Sequence, residues 1–231
     1  MRRIIALGGG DMREKTTLKI DEYVANLAKE RAGDKRAYGL YLGTASHDFM
    51  PAFNTFRKTY TSVFDIKADC LLIVNMDTPE EKINEKFSKA DFIYVGGGDT
   101  LFMLEMWKNK GILQKLKEAY LRGVILVGRS AGAVCWFKQM FTDSEIMNGK
   151  SEEYKLYDGL NYLEGTFCPH YNLRKDDFIK VVNEKGLKLS YGVEDDSAIV
   201  FENEKFVKAI SSGGSSYKLE FKNENLQIEK L

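Results

Sequence analysis

Short, nearly unbroken apolar runs alternate with amphipathic stretches through the first half of this chain, and glycines gather where the apolar runs end. Ile4 to Leu7 runs into Gly8-Gly9-Gly10, Tyr38 to Leu42 into Gly43, and Phe92 to Val95 into Gly96-Gly97-Gly98. Leu71 to Val74 and Val124 to Val127 are apolar runs of the same kind. Between them, Ile20, Val24, Leu27 and Ala28 repeat at helical spacing, as do Phe49, Phe53, Phe56 and Tyr60, and Leu101 to Lys108 reads as helix. Thr78-Pro79-Glu80-Glu81 reads as a helix start, with Thr78 as cap, Pro79 at the first helical position and Glu81 completing a capping box. This rhythm predicts an α/β protein, a three-layer sandwich around a mostly parallel sheet. Strands buried on both faces are apolar throughout, which is the pattern seen. In open sheets of this kind ligands bind at the carboxyl ends of the strands, where these glycines lie.

After His170 the pattern changes. One helix is expected over Lys175 to Glu184, then strands over Leu189 to Val193, Ala198 to Phe201, Phe206 to Ile210 and Tyr217 to Phe221. The expectation is an antiparallel extension added to the sheet edge. No repeat or linker divides the 231 residues, which read as one domain, residues 1–231.

Composition narrows the function. Lys+Arg and Asp+Glu each number 34, so the formal net charge of zero offers no general attraction to nucleic acid or an anionic membrane. Cys70, Cys135 and Cys168 are too few and too scattered for a disulfide framework or a zinc site, and with only His47 and His170 in the chain metal binding is further limited. The apolar run near the N-terminus is shorter than a signal peptide needs, and the expected location is the cytoplasm.

Gly128-Arg129-Ser130-Ala131-Gly132 carries the strongest chemical signal. It follows the apolar run Val-Ile-Leu-Val and precedes Ala-Val-Cys-Trp-Phe-Lys-Gln-Met, which is compatible with helix. A G-x-S-x-G between strand and helix is the setting of a nucleophile elbow, where a strained turn lifts the serine hydroxyl clear of the sheet. The plainer alternative is a tight turn that happens to hold a serine. A serine nucleophile needs a base. His170, in Phe167-Cys168-Pro169-His170, suits presentation from a strand end, whereas His47 reads as a loop or cap histidine. A third group, an acid, orients the imidazole. Asp143 is the first candidate and Glu145 the second, both between nucleophile and base.

Gly96-Gly97-Gly98-Asp99-Thr100 ends the strand before the elbow strand, and the Gly98 amide could pair with that of Ala131 as an oxyanion hole. A phosphate-binding turn is the competing reading. Arg13 and Leu101 stand where a dinucleotide fingerprint needs its third glycine, and no Walker A pattern occurs.

Taken together, the Gly-Gly-Gly-Asp-Thr turn, the Ser130-Ala131-Gly132-Ala133 elbow and Pro169-His170-Tyr171 resemble the serine peptidases related to dipeptidase E, the alpha-aspartyl dipeptidases, with cyanophycinase more distant. The resemblance covers most of the chain. It implies a fold similar to class I glutamine amidotransferases and cofactor-free hydrolysis of small peptides, including dipeptides that begin with aspartate. It implies Ser130 as nucleophile, His170 as base, and the amides of Gly98 and Ala131 as oxyanion donors. Arg174 falls where the family places an arginine for the substrate carboxylate. Arg129 is a second candidate for that role, and Asp99 stands beside the same site where the family often has asparagine. The expected partner is a small peptide, on a monomer or homodimer. Two alternatives remain at this level, an α/β-hydrolase esterase and a non-catalytic binding protein on the same fold. The esterase reading is disfavoured by the long segment after His170 and by the lack of an HGGG-type loop.

Overall fold

The computed structural model describes residues 1–222 and 225–231. Five strands form the parallel part of the main sheet: β1 (Arg3–Leu7), β2 (Tyr38–Leu42), β3 (Lys67–Leu71), β4 (Phe92–Val95) and β5 (Ile125–Arg129). Most of their residues are buried, as expected for strands covered on both faces. Connecting helices are α1 (Leu18–Ala32), α2 (Met50–Lys58), α3 (Glu80–Lys89), α4 (Thr100–Asn109) and α5 (Ile112–Leu121). After β5 come α6 (Ala131–Val134), β6 (Phe137–Thr142), α7 (Ser144–Met147), β7 (Lys155–Asp158), β8 (Leu163–Cys168) and α8 (Tyr171–Lys185). The chain ends with β9 (Leu189–Val193), β10 (Ser197–Glu202), β11 (Lys205–Ser211), β12 (Ser216–Lys222) and β13 (Asn225–Lys230).

The strands form two sheets. The first has the order β11-β10-β1-β5-β4-β2-β3, with β10 antiparallel to β1. The second runs β13-β12-β9-β8-β6-β7. The antiparallel tail is therefore shared out: β10 and β11 extend the main sheet, while in the second β12 pairs onto β9 and β13 onto β12. Period-two alternation along the main strands assigns the faces. Ile5, Leu7, Tyr41, Phe92, Tyr94 and Val127 pack against α1 and α2, with Phe53, Phe56 and Tyr60 stacked on the ring cluster. Ile4, Ala6, Leu40, Leu42, Ile93 and Leu126 face α3 to α5 and the second sheet. That sheet's outer face is covered by α8 through Phe178 and Val182.

Several local expectations shift. The third strand lies at Lys67–Leu71 rather than Leu71 to Val74, because the amides of Ile73 and Val74 turn out of the sheet to donate to Asp48 Oδ2 at 2.7 and 2.8 Å. The capping box does not form. Helix α3 starts one residue later, with Pro79 at its cap, and the Thr78 hydroxyl donates to the Leu72 carbonyl at 2.5 Å. Helix α6 has four residues, and the segment after it, read as helix from composition, is strand β6. There Phe137, Met140 and Phe141 are buried between neighbouring layers, so tertiary burial overrides local preference. No helix among the described residues is long and apolar enough to cross a membrane.

Phe137 joins the two sheets. Its ring stacks on Phe167 at 4.7 Å and meets Phe201 of the main sheet edge-on at 5.7 Å, fully buried. Phe137→Ala is expected to cost about 3–5 kcal/mol of unfolding free energy, measured by urea denaturation. An exposed control on β11, Val207→Ala, should stay within about 0.5 kcal/mol of the parent.

Candidate active site

Parallel pairing brings the ends of β1, β5 and β4 side by side. Leu7 is level with Arg129, and Val95 with Gly128. The turn after β5 is held open by its glycines. A Cβ on Gly128 would sit 1.9 Å from the Gly132 carbonyl oxygen, and one on Gly132 would sit 2.3 Å from that of Val95. Only glycine allows this approach of turn, helix and strand. Between them Ser130 adopts φ 53°, ψ −114°, a conformation that side-chain-bearing residues rarely occupy and that costs on the order of 1–3 kcal/mol. Its amide donates to the Leu7 carbonyl at 3.1 Å, and its carbonyl accepts from Ala133 at 2.8 Å and Val134 at 2.9 Å. The backbone is pinned on both sides while the hydroxyl stays free to reach outward.

His170 arrives from the second sheet. Strand β8 ends at Cys168, and His170 caps α8 with left-handed φ 51°, its amide donating to the Gly8 carbonyl at 3.1 Å. The Ser130 Oγ to His170 Nε2 distance is 2.8 Å. On the far side of the ring, Nδ1 lies 2.7 Å from Asp195 Oδ1. Gly9 lies against both partners: a Cβ there would meet Asp195 Oδ1 at 1.8 Å and the His170 ring at 2.6 Å. Burial lowers the His170 pKa below 6.5, and Asp195 opposes that shift as the leading raising influence. Burial thus favours the neutral imidazole, the form able to accept a proton.

The acid on His170 is thus Asp195, not Asp143 or Glu145. Asp143 Oδ2 instead accepts from Arg174 Nη2 at 2.7 Å, and Glu145 accepts from the Tyr157 hydroxyl. Asp195 sits in the turn between β9 and β10, after the histidine in sequence and so outside the interval between Ser130 and His170 that holds Asp143 and Glu145. It is fixed by Asn172, whose side chain accepts from the Asp195 amide at 3.1 Å and donates to Oδ2 at 3.2 Å. The available signal was Glu194-Asp195-Asp196 directly after a buried strand end.

Asp99 is also reassigned. It caps α4, accepting from the amides of Leu101 and Phe102 through Oδ1 and from Asn148 through Oδ2. Both oxygens are engaged and the residue is buried, so it presents no carboxylate to a substrate. Arg174 is buried, pairs with Asp143 and lies over the Tyr154 ring at 4.9 Å, leaving Nη1 without a hydrogen-bond partner among the described residues. Arg129 Nη1 donates to the Gly10 carbonyl at 2.7 Å, and its side chain lines a cavity beside the elbow. His47 packs on Phe102, ring centroids 4.1 Å apart, and makes no hydrogen bond to Ser130 or His170.

In the glycine turn, the Gly96 and Asp99 amides are bonded to Leu42 and Ala45. Those of Gly97, Gly98 and Ala131 have no protein acceptor among the described residues. Gly97 is the glycine facing the serine: a Cβ on it would lie 3.4 Å from Ser130 Cβ. Gly98, with φ 139°, is pressed against the Ala45 carbonyl.

These elements define an α/β protein with a strained elbow serine, an imidazole and a carboxylate in line at the strand ends. Within that class the chain belongs to Peptidase family S51, whose sequence pattern matches residues 4–209, and it is a peptidase. It is 32% identical over 225 residues to an uncharacterized peptidase, YgaJ, of Bacillus subtilis (strain 168), covering 95% of this chain and 92% of that one. Uncharacterized peptidase Lmo0363 of Listeria monocytogenes is 31% identical over 144 residues, 59% of this chain and 70% of the relative. The crystal structure of a peptidase from an acI-B1 Actinobacterium has the same fold, with a TM-score of 0.71 at 16% identity, covering 100% of this chain and 96% of the other.

The hydrogen-bond pattern separates the two aspartates. Asp195→Asn should reduce kcat/KM by roughly 10³–10⁴-fold, because the amide favours the wrong tautomer of His170. Asp143→Asn should lower it by less than about tenfold. Steady-state hydrolysis of one peptide by both variants decides the assignment.

Proposed function

We propose that this chain is a serine-type peptidase that hydrolyses small peptides through an acyl-enzyme. The observation carrying this reading is the continuous Ser130–His170–Asp195 alignment, at 2.8 and 2.7 Å, on a serine held in a strained turn. Ser130 Oγ attacks the scissile carbonyl as His170 Nε2 takes its proton. The oxyanion is held by the unpaired amides of Ala131 and Gly98. His170 returns the proton to the leaving amine, the C–N bond breaks, and an ester to Ser130 remains. Water then attacks that ester, giving a proton to His170, and Ser130 recovers it as the acid departs. Asp195 keeps Nδ1 protonated and stabilises the imidazolium.

The finer proposal is a peptide with an N-terminal aspartate. Its support is the unpartnered Arg174 Nη1, held near the imidazole by a buried side chain. Asp143 already neutralises part of that charge, so a substrate carboxylate competes with it for the guanidinium. A dipeptide panel varying the first residue tests this. Asp-X should be cleaved faster than Ala-X, and the preference should vanish in Arg174→Ala.

Two measurements check the mechanism. Ser130→Ala should retain the parent's thermal unfolding midpoint while losing hydrolysis and fluorophosphonate labelling. The acid limb of kcat/KM should have its midpoint below about 6.5, because activity requires His170 to be neutral and burial lowers its pKa. In residual activity of Asp195→Asn the midpoint should move lower still, since the carboxylate that favours the imidazolium is gone.

A further inference from the structure

Arg129 directly precedes Ser130 in β5 and, by strand alternation, continues the face of Ile125 and Val127 toward α2. It reaches a cavity of about 230 Å³ on that side of the strand ends. Two features mark this cavity as a ligand site. Arg129 uses one guanidinium nitrogen on Gly10 and forms no salt bridge among the described residues, the buried Asp21 acting on it only at longer range. The Tyr94 hydroxyl, on a residue only 2% exposed, lines the cavity and has no hydrogen-bond partner among the described residues. An unsatisfied buried hydroxyl costs free energy unless something fills the site.

The cavity continues along α2. Met12, Arg13 and Thr55 are shared with a second depression, which in turn shares Asn54, Lys58 and Ser62 with a third. Arg13, Lys15, Arg57, Lys58 and Lys67 line this path, and none has a carboxylate partner among the described residues. Arg36 at its far end is paired with Asp65 at 3.0 Å. Residues 49–64 contain no Asp or Glu. The one lining carboxylate, Asp11, is turned into its own loop, accepting from the amides of Arg13 and Glu14. A chain of zero net charge thus carries an unbalanced cationic groove that starts one residue from its nucleophile.

We infer that this groove holds an acidic stretch of an extended peptide substrate, lying beyond the residues at the scissile bond. The inference rests on the serine-peptidase reading and deepens it. A peptide crossing the strand ends meets Ser130 on one face of the sheet and the Arg129 cavity on the other. Helix α2 and the turn that prolongs it, Met50 to Val63, span about 20 Å at 1.5 Å per residue. About six extended residues cover that length. Acidic side chains there exchange water for the free cations and a carboxylate or carbonyl for the Tyr94 hydroxyl.

The test uses peptides sharing one cleavable core dipeptide and extended by six residues on either the N- or the C-terminal side, alternating Asp-Ser or Gly-Ser. On one side the acidic extension should raise kcat/KM about tenfold over the neutral one, a few exposed ion pairs each contributing a small factor. That ratio should fall toward one in about 0.5 M NaCl and in Arg57→Ala/Lys58→Ala/Lys67→Ala. The single variant Lys58→Glu should lower it as well, and thermal melts verify folding of both. A ratio near one on both sides, or one unchanged in both variants, overturns the inference. If no peptide is cleaved, the hydrolytic reading fails separately. Fluorescence anisotropy of Ser130→Ala with the labelled peptides then decides the groove. Tighter binding of the acidic peptide, lost in the triple variant, upholds it, and equal binding of the two peptides removes it.

Discussion

The site depends on one close contact, that of Gly128 and Gly132 across the turn after β5. With 1.9 Å between a hypothetical Gly128 Cβ and the Gly132 oxygen, no larger residue fits. That packing, with the bonds from Ser130 to Leu7, Ala133 and Val134, holds the serine at a positive φ it would not choose alone. The strain is tolerable because it falls where the strands are buried on both sides and the core resists local relaxation. A catalytic hydroxyl must be fixed before substrate arrives, since fixing it during reaction would add to the barrier. The sheet interior supplies that rigidity and the turn supplies the exposure.

The second sheet explains how the imidazole reaches this hydroxyl. β8 runs parallel to both β6 and β9, so the β8 end and the turn after β9 emerge at the same edge. His170 leaves the first and Asp195 the second, and the Asn172 side chain ties them together. Gly8 and Gly9 of the main sheet close the junction, one accepting from the His170 amide and the other lying flat against the ring and Asp195. Imidazole and carboxylate are thus carried by one sheet and the serine hydroxyl by the other. Phe137, packed between Phe167 and Phe201, helps to fix the distance between them.

The parts of this arrangement that were readable in the sequence are those set by local pattern. Strands β2, β4 and β9 fall on the expected residues, because each is a short apolar run bounded by turn residues. Ser130 was marked by its flanking glycines, and His170 by being one of only two histidines. The acid carried no such local mark. Its position depends on β9 folding beside β8, a pairing between distant segments that no spacing rule encodes, and Asp143 looked suitable because it lies near the elbow in sequence. Its actual partner, Arg174, is equally nonlocal. Strand β6 was misread for a related reason. Its residues suit a helix following the elbow, and only the presence of a second sheet makes an extended conformation the one that buries them.

The same logic applies to charge. Whole-chain neutrality argued against a polyanionic partner, yet the total says nothing about how charges are distributed. Acidic residues are concentrated in pairs elsewhere, as in Arg2 with Glu204, Lys86 with Asp69 and Lys89 with Glu85, where each neutralises a neighbour. The α2 segment lacks acids, so its cations stay unbalanced next to the strand ends. Such a field reaches about 8 Å at physiological ionic strength, enough to act along the groove and not across the molecule. Alternation in β5 then separates two tasks by a single residue. Ser130 faces the imidazole carried by the second sheet, and Arg129 opens onto the charged groove under α2. Under the proposed reading, the chemistry at the scissile bond and the selection of what flanks it vary independently, since the first is fixed by buried packing and the second by exposed side chains that few other contacts constrain.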